Sequence, residues 1–428
     1  MEYSLVIGIG LIIVAFSTGA PMFAAMTLGT TVLFISYAQL PGLSMAQQAI
    51  SSISSFTLVA IPLFILLGNI MARSGAAAAL FDLVRVFLGH LRAGLGMVTV
   101  WVAALFGTMC GSGVATAVAV SSIVVPEMTK SGYKREECAA ICGASGPLGL
   151  LIPPSVGAII LAEILEVPVG KVFAAGVFPG ILTAALLSIV CYIKNRNNLD
   201  IKIEREHTWK ERRVAIWRSL PTLLIPMSLF GVIYGGIATP TEAAGTSCVI
   251  ALIVGFLFYG KIKWKDMKDI ARSSLISTTS IYCIVFGAVI FGRSLAYMEI
   301  PQNIAMLTME LALSPLTFMF FFLVIFFLLG MIFDAFALMY VCLPPLVSTF
   351  SHFGFDPVFI AILFIQIVIV GQLTPPVCIT LYAAASGAGA QSSSTIRAAL
   401  PYLIAAIISC ILVLILPRIA LFLPGLLK

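Results

Sequence analysis

Residues 143–155 read GASGPLGLLIPPS, and their core, Gly149-Leu150-Leu151-Ile152-Pro153-Pro154, has the form G-x-L-x-P-P. The same form returns 222 positions later as Gly371-Gln372-Leu373-Thr374-Pro375-Pro376. Both copies interrupt long apolar runs in which a helix would otherwise continue. Proline lacks a backbone N–H and clashes with the preceding turn, and glycine loosens the chain further. Each copy is therefore expected to break a helix at mid-depth of a bilayer. Unwound backbone is tolerated there only where it is buried in protein or lines a cavity. A pair of such breaks at matching places in two halves points to the binding site of a secondary transporter.

The composition sets the solvent. Of the 428 residues 61% are hydrophobic and only 10% charged, against about 25% charged in a soluble domain. The chain reads as an all-α polytopic membrane protein. Its net charge of +6 is not spread as a nucleic acid would need, since twenty of the 24 Lys and Arg fall within 73–92, 130–135, 194–218 and 261–272 or at Arg397. Short basic loops of this kind orient a protein in the lipid bilayer, and no nucleic acid is expected as a partner. The nine cysteines are scattered through apolar runs without a C-x-x-C, and Cys138 and Cys142 read as small apolar filler. His90, His207 and His352 form no metal motif. The first apolar run begins at Ser4 with no basic residue before it, and reads as a span rather than a signal peptide.

Residues 4–16 and 21–37 read as two spans, 42–55 as an interfacial segment and 58–71 as a third span. Residues 76–92 carry Asp82, Arg85 and His90 and read as an amphipathic surface helix. Residues 98–125 are apolar but interrupted by Cys110-Gly111-Ser112-Gly113, with Arg92 before them and Lys130 after. One crossing would put those basic flanks on opposite sides; a hairpin that turns at Gly111-Ser112-Gly113 keeps them on one side. A broken span over 136–166, a span over 172–192 and a basic connector over 194–218 follow.

From Leu220 the plan recurs. Spans are expected at 220–237, 243–259 and 276–297, with a basic segment at 261–272 and an amphipathic one at 301–313. A second hairpin over 316–350 is interrupted at Asp334 and flanked by Glu310 and Asp356, so it opens on the acidic side. A broken span over 357–385 and a last span over 402–423 complete the chain. Gly107 pairs with Gly330 at an offset of 223 and Gly132 with Gly354 at 222. Each half holds five full spans by this reading, and an odd number inserts the second half upside down. The expectation is two inverted-topology repeats, with about ten spanning helices and two re-entrant hairpins. The division that follows is a scaffold with its first arm helix (1–93), a first transport half (94–195), a connector (196–218), a second scaffold and arm (219–313) and a second transport half (314–428).

Broken helices expose carbonyls at one end and N–H groups at the other. Carbonyls with a few hydroxyls can hold Na⁺, and helix N-termini favour a carboxylate. The first-half candidates for Na⁺ are Gly107, Ser112, Ser145, Gly149 and Ile152; those of the second half are Gly330, Gly371, Thr374 and Val377. Gly371, Ile152 and Val377 are offered for backbone alone, and close helix packing is an equal reading of Gly107 and Gly330. Ser112, Ser155 and Asp334 are the candidates for substrate. Ionisable groups within a membrane are costly and mark function by default. Besides Asp334 these are Arg293, expected to pair with a carboxylate, and Glu242, for which helix capping suffices. No catalytic constellation appears, and the chain is not expected to be an enzyme.

GASGPLGLLIPPS, FGTMCGSGVATA (106–117), ATPTEAAG (238–245) and GQLTPP together resemble the large membrane subunit of tripartite ATP-independent periplasmic transporters. The resemblance covers essentially the whole chain. It implies an elevator in which a scaffold carries a moving bundle, with two or more coupling Na⁺ ions and no organic cofactor. It also implies a separate small membrane subunit, a periplasmic substrate-binding protein and an organic-acid substrate such as a C4-dicarboxylate or sialic acid. The bacterial inner membrane is the implied location, with basic loops cytoplasmic and both termini periplasmic. A single carboxylate, Asp334, facing hydroxyl-bearing residues suits a polyhydroxylated monocarboxylate better than a dianion, which favours sialic acid. Arg293 is no part of the resemblance.

Two other readings remain open at this level. A stand-alone Na⁺/carboxylate or anion carrier of the wider ion-transporter superfamily would share the inverted hairpins, and would transport without a binding protein. An intramembrane enzyme lacks its catalytic set, and a channel would need a ring of charge or carbonyls along a pore.

Overall fold

The computed structural model describes residues 22–33, 57–311 and 314–427, with scattered positions among the first 55. The expected first span and interfacial segment, and the ends of the second span, lie outside the described residues. Among those described, every regular element is helical. After α1 (Met22–Leu33) come α2 (Ala60–Ser74), α3 (Ala76–Leu88), α4 (Gly94–Cys110), α5 (Gly113–Lys130), α6 (Arg135–Ser145), α7 (Leu148–Leu151), α8 (Val156–Ile164) and α9 (Val169–Asn195). The second half holds α10 (Trp209–Tyr234), α11 (Pro240–Ile253), α12 (Trp264–Tyr297), α13 (Ile300–Glu310), α14 (Pro315–Gly330), α15 (Ala335–Cys342) and α16 (Val347–His352). It ends with α17 (Pro357–Gln372), α18 (Ile379–Ala388), α19 (Ser392–Ile415) and α20 (Arg418–Leu426).

Local chemistry sets the boundaries. Gly75 takes φ +89° and turns α3 through 68° from α2, a conformation that glycine adopts without penalty. Leu80, Phe81 and Val84 of α3 then face inward while Arg85 binds Glu204 of the connector at 2.6 Å. Helix starts in the second half pair a capping side chain with proline at the first position: Thr239-Pro240, Ser314-Pro315 and Asp356-Pro357. Glu242 completes a capping box with Thr239, as its sequence context suggests.

The sequence hairpin, broken helix, long helix occurs twice: α4–α5, α6–α8 and α9, then α14–α16, α17–α18 and α19. The two sets interleave. α18 packs on α5 and α6, α19 packs on α6 and α9, and α17 runs against α7, α8 and α14. α17 is buried on every face from Val358 to Gln372, which explains why it is apolar all round. A second group of helices gathers on α2 and α12: α12 packs on α1 and α2, and α11 on α2. The groups meet where α2 touches α4 and α8 and where α12 touches α15.

Among the described residues, six helices are long and apolar enough to cross a membrane, or up to eight if each bent pair is one span. Of the expected ten, the first lies mostly outside the described residues and the second is described only over Met22–Leu33. Three expectations need correction. The last span starts at Ser392, ten residues before the expected 402, and ends at Ile415, where Pro417 turns the chain into α20 against α9. The second hairpin is broken twice, at 331–334 and again at Pro344-Pro345, where a 3₁₀ turn separates α15 from α16. The connector is non-helical only over 196–208, turning at its start, because the Thr208–Glu211 capping box starts α10 within the basic segment.

Candidate functional site

Each hairpin tip crosses the helix break of its own half at a pair of glycines. A Cβ on Gly107 of α4 would stand 2.6 Å from the Gly149 Cα, and one on Gly371 of α17 would stand 2.6 Å from the Gly330 carbonyl carbon. The first crossing has no room for a side chain on Gly107, and the second has none on Gly371. Close packing requires a glycine at Gly107 and at Gly371 but not at Gly330, and both crossings bring backbone to backbone at the break. The two breaks also meet each other. A Cβ on Gly113, at the first tip, would lie 3.0 Å from the Pro147 Cα and 3.6 Å from Gln372 Oε1 in the second half.

At the first break, α7 ends at Leu151, Ile152 is extended and Ser155 caps α8 by accepting from the Ala158 N–H at 3.0 Å. Pro153 and Pro154 cannot donate to the carbonyls four positions back, those of Gly149 and Leu150. Ser145 is fully buried and donates to the Ile141 carbonyl at 2.7 Å, so its lone pairs stay free. Ser112 caps α5 through a long 3.5 Å contact from the Ala115 N–H. The Ile152 side chain seats against Gly180 of α9, which leaves only its backbone for the break.

The second break differs in setting. Thr374 Oγ1 donates to the Val370 carbonyl at 2.7 Å, Val377 is half-buried, and Cys378 takes φ +39° before α18 begins. Both diprolines contain a cis bond, but Pro153 and Pro154 are buried while Pro375 and Pro376 are exposed.

Both sets of donors are hydroxyl and carbonyl oxygens, and no cluster of three or more His, Cys, Asp or Glu able to hold a metal occurs among the described residues. Such a set fits a hard, weakly held cation such as Na⁺ and does not fit a transition metal.

Asp334 stands at the second tip, where its Oδ2 accepts from the Phe336 N–H at 3.0 Å and caps α15. No hydrogen bond joins it to Ser112 or Ser155 among the described residues, while Gly111 beside Ser112 packs against Val156 beside Ser155. Arg293 corrects its expectation. It forms no ion pair among the described residues and is exposed beside a cavity. It lines the same cavity as Glu163 without forming an ion pair with it. Two groups were passed over in the sequence. Gln372 Oε1 is buried without a hydrogen-bond partner at the meeting of the breaks. Thr116 turns its hydroxyl to within 3.0 Å of where a Gly149 Cβ would stand. Gln372 was legible as a polar residue inside an apolar motif; Thr116 lies one turn past the tip.

The family model of the tripartite ATP-independent periplasmic transporter, DctM component, matches residues 9–419. The C4-dicarboxylate TRAP transporter large permease protein DctM of Pseudomonas aeruginosa is 33% identical over 89% of each chain. The ectoine TRAP transporter large permease protein TeaC of Halomonas elongata is 31% identical over 97% of this chain and 96% of its own. The sialic acid TRAP transporter large permease protein SiaM of Vibrio cholerae is 30% identical over 95% and 96%. Among solved structures, the YdaH transporter of Alcanivorax borkumensis superposes with a TM-score of 0.62 at 14% identity, over 85% of this chain and 86% of that one. That likeness concerns the fold alone. With glycine crossings at both breaks and a family model spanning nearly the full length, the chain belongs to the DctM, or large permease, family of tripartite ATP-independent periplasmic transporters.

Proposed function

We propose that this large permease carries out Na⁺-coupled uptake of an organic acid, with sialic acid favoured over a C4-dicarboxylate, by an elevator movement of α4–α9 and α14–α20 against α1, α2 and α10–α12. The single observation behind this reading is the pair of crossings, Gly107 on Gly149 and Gly330 on Gly371. Each sets a hairpin tip against carbonyls that proline has released from helical bonding, and the two crossings share Gln372.

In this reading Gly107, Ser112, Ser145, Gly149 and Ile152 would hold one Na⁺, and Gly330, Gly371, Thr374 and Val377 a second. Bound Na⁺ supplies positive charge that draws the hairpin tips onto the breaks and favours an anionic solute beside them. Ser112, Ser155 and Asp334 orient that solute: the serines offer hydroxyls next to the N-termini of α5 and α8, and Asp334 accepts from solute hydroxyl or amino groups. A separate small membrane subunit would hold the scaffold. A periplasmic binding protein would deliver solute to the acidic side, with the basic loops in the cytoplasm, both termini periplasmic and the whole in the inner membrane of a bacterium.

Uptake of labelled sialic acid into proteoliposomes holding the permease with its small subunit and binding protein tests the reading. Uptake should follow an inward Na⁺ gradient and fail without the binding protein. Uptake that ignores Na⁺ and follows a pH gradient would remove the sodium sites, and uptake by this chain alone would favour a stand-alone carrier.

A further inference from the structure

A cavity of about 330 Å³ opens between the two helix groups, away from the crossings. Val285, Gly292 and Arg293 of α12 line one wall, Glu163 at the end of α8 lines another, and Tyr340 of α15 with Pro344 closes the third. It lies towards the acidic loops. α12 starts beside the basic segment 261–272 and reaches Arg293 near its far end, while α6 starts at Arg135 and α8 reaches Glu163 at its far end.

The polar groups here are unsatisfied. Arg293 is unpaired among the described residues, and Tyr340, only 5% exposed, has a hydroxyl with no hydrogen-bond partner. Burying a hydroxyl unbonded is costly, and an unpaired guanidinium beside an apolar wall is suited to a carboxylate, which it binds in a two-point fork. Glu163 lines the same cavity with the opposite sign.

We infer that this cavity is a solute vestibule, in which Arg293 takes the carboxylate of an organic monoacid, Tyr340 donates to it, and Glu163 accepts from a hydroxyl or cationic group on the solute. The inference rests on the proposed function and deepens it. Arg293 and Glu163 together select a compact monocarboxylate with a hydroxyl or amino-type group, because the second carboxylate of a dianion would meet Glu163 in a confined space. Since α12 belongs to one helix group and α8 and α15 to the other, the vestibule is complete only when the groups stand as they do here. Displacing them parts Arg293 from Glu163 and Tyr340 and lets go of the solute.

The test uses the assembled transporter with sialic acid, ectoine (a zwitterion) and succinate (a dianion) as probes, reading both uptake and direct calorimetric binding. Arg293→Gln should raise KM for sialic acid by about tenfold or more, the loss of one charge-assisted contact, with kcat changed less than twofold, and Arg293→Lys should recover part of that loss. Glu163→Gln should raise succinate uptake relative to ectoine by about tenfold. Unchanged KM in Arg293→Gln with an unchanged succinate-to-ectoine ratio in Glu163→Gln overturns the vestibule. If Asp334→Asn abolishes uptake in the same experiment, the proposed function survives that result. Absence of both binding and uptake of all three probes by the wild type overturns the vestibule and the organic-acid reading together.

Discussion

Four glycines hold the hairpins against the breaks, and their surroundings are unequal. At Gly371 an added methyl meets Gly330 backbone at 2.6 to 2.9 Å, whereas at Gly330 it meets the Gly371 Cα at an ordinary 3.5 Å. Gly371→Ala should therefore lower stability by about 1–3 kcal/mol, the range for overpacking, and stop uptake. Gly330→Ala should leave both near wild type; thermal unfolding and Na⁺-driven uptake measure the two effects. Asp334 gives a second residue-level prediction. Asparagine caps a helix about as well as aspartate, so Asp334→Asn should keep the melting temperature and lose uptake, while Asp334→Ala should lose both. Equal uptake by Asp334→Asn and wild type would free the carboxylate from any part in solute binding. These positions could be read from the sequence because glycine and an intramembrane carboxylate are costly wherever they have no purpose. Arg293 was misread for the complementary reason: its charge is visible in the sequence, but the absence of a partner is a fact of three-dimensional packing.

The breaks themselves were legible because proline acts locally: a missing N–H needs no knowledge of the fold. Replacing Pro153 and Pro154 together by alanine restores two donors and allows α7 to continue into α8. The double variant should remain folded and lose Na⁺-dependent uptake, and Na⁺-dependent uptake at the wild-type rate would show that the released carbonyls have no role. The second break of the second hairpin, at Pro344-Pro345, was as legible in principle, but Asp334 drew the reading to itself. The start of α19 was missed for a different reason. Ser392 to Thr395 and Arg397 look like a loop, yet the helix is held there from other elements. Tyr402 donates to Glu137 Oε1 of α6 at 2.7 Å, and Lys194 of α9 pairs with Glu137 and donates to the Ala398 carbonyl at 2.7 Å. Tyr402→Phe should cost about 1.5–3 kcal/mol, the worth of a hydrogen bond to a charged group, seen as a lower melting temperature with the Na⁺ dependence of uptake retained. No local pattern carries that information, since the partners are 57 and 265 positions away from Glu137.

At the scale of the molecule, the twofold plan was in the spacing of the diprolines, and the structure adds how the halves interleave. α18 lies on α5 and α6, and α19 on α6 and α9, so neither half can form the site alone. The helices gathered on α2 and α12 bear outward apolar side chains such as Leu224, Met227 and Val249, as lipid or a second membrane subunit requires. This group meets the interleaved halves at a boundary where α2 packs on α4 and α8 and α12 on α15, and is also tied to them through α3, which packs on both α10 and α4. An elevator needs that boundary to slide. Ala288 of α12 and Pro344 beyond α15 line the vestibule from opposite sides of it. The decisive measurement is uptake by an Ala288→Cys, Pro344→Cys transporter before and after bridging by a short bismaleimide, beside wild type treated alike. The account predicts full loss of uptake in proportion to bridged protein, with each single-cysteine variant spared. Uptake that persists at the unbridged rate in fully bridged protein would mean that α12 and α15 move together, and would contradict the elevator.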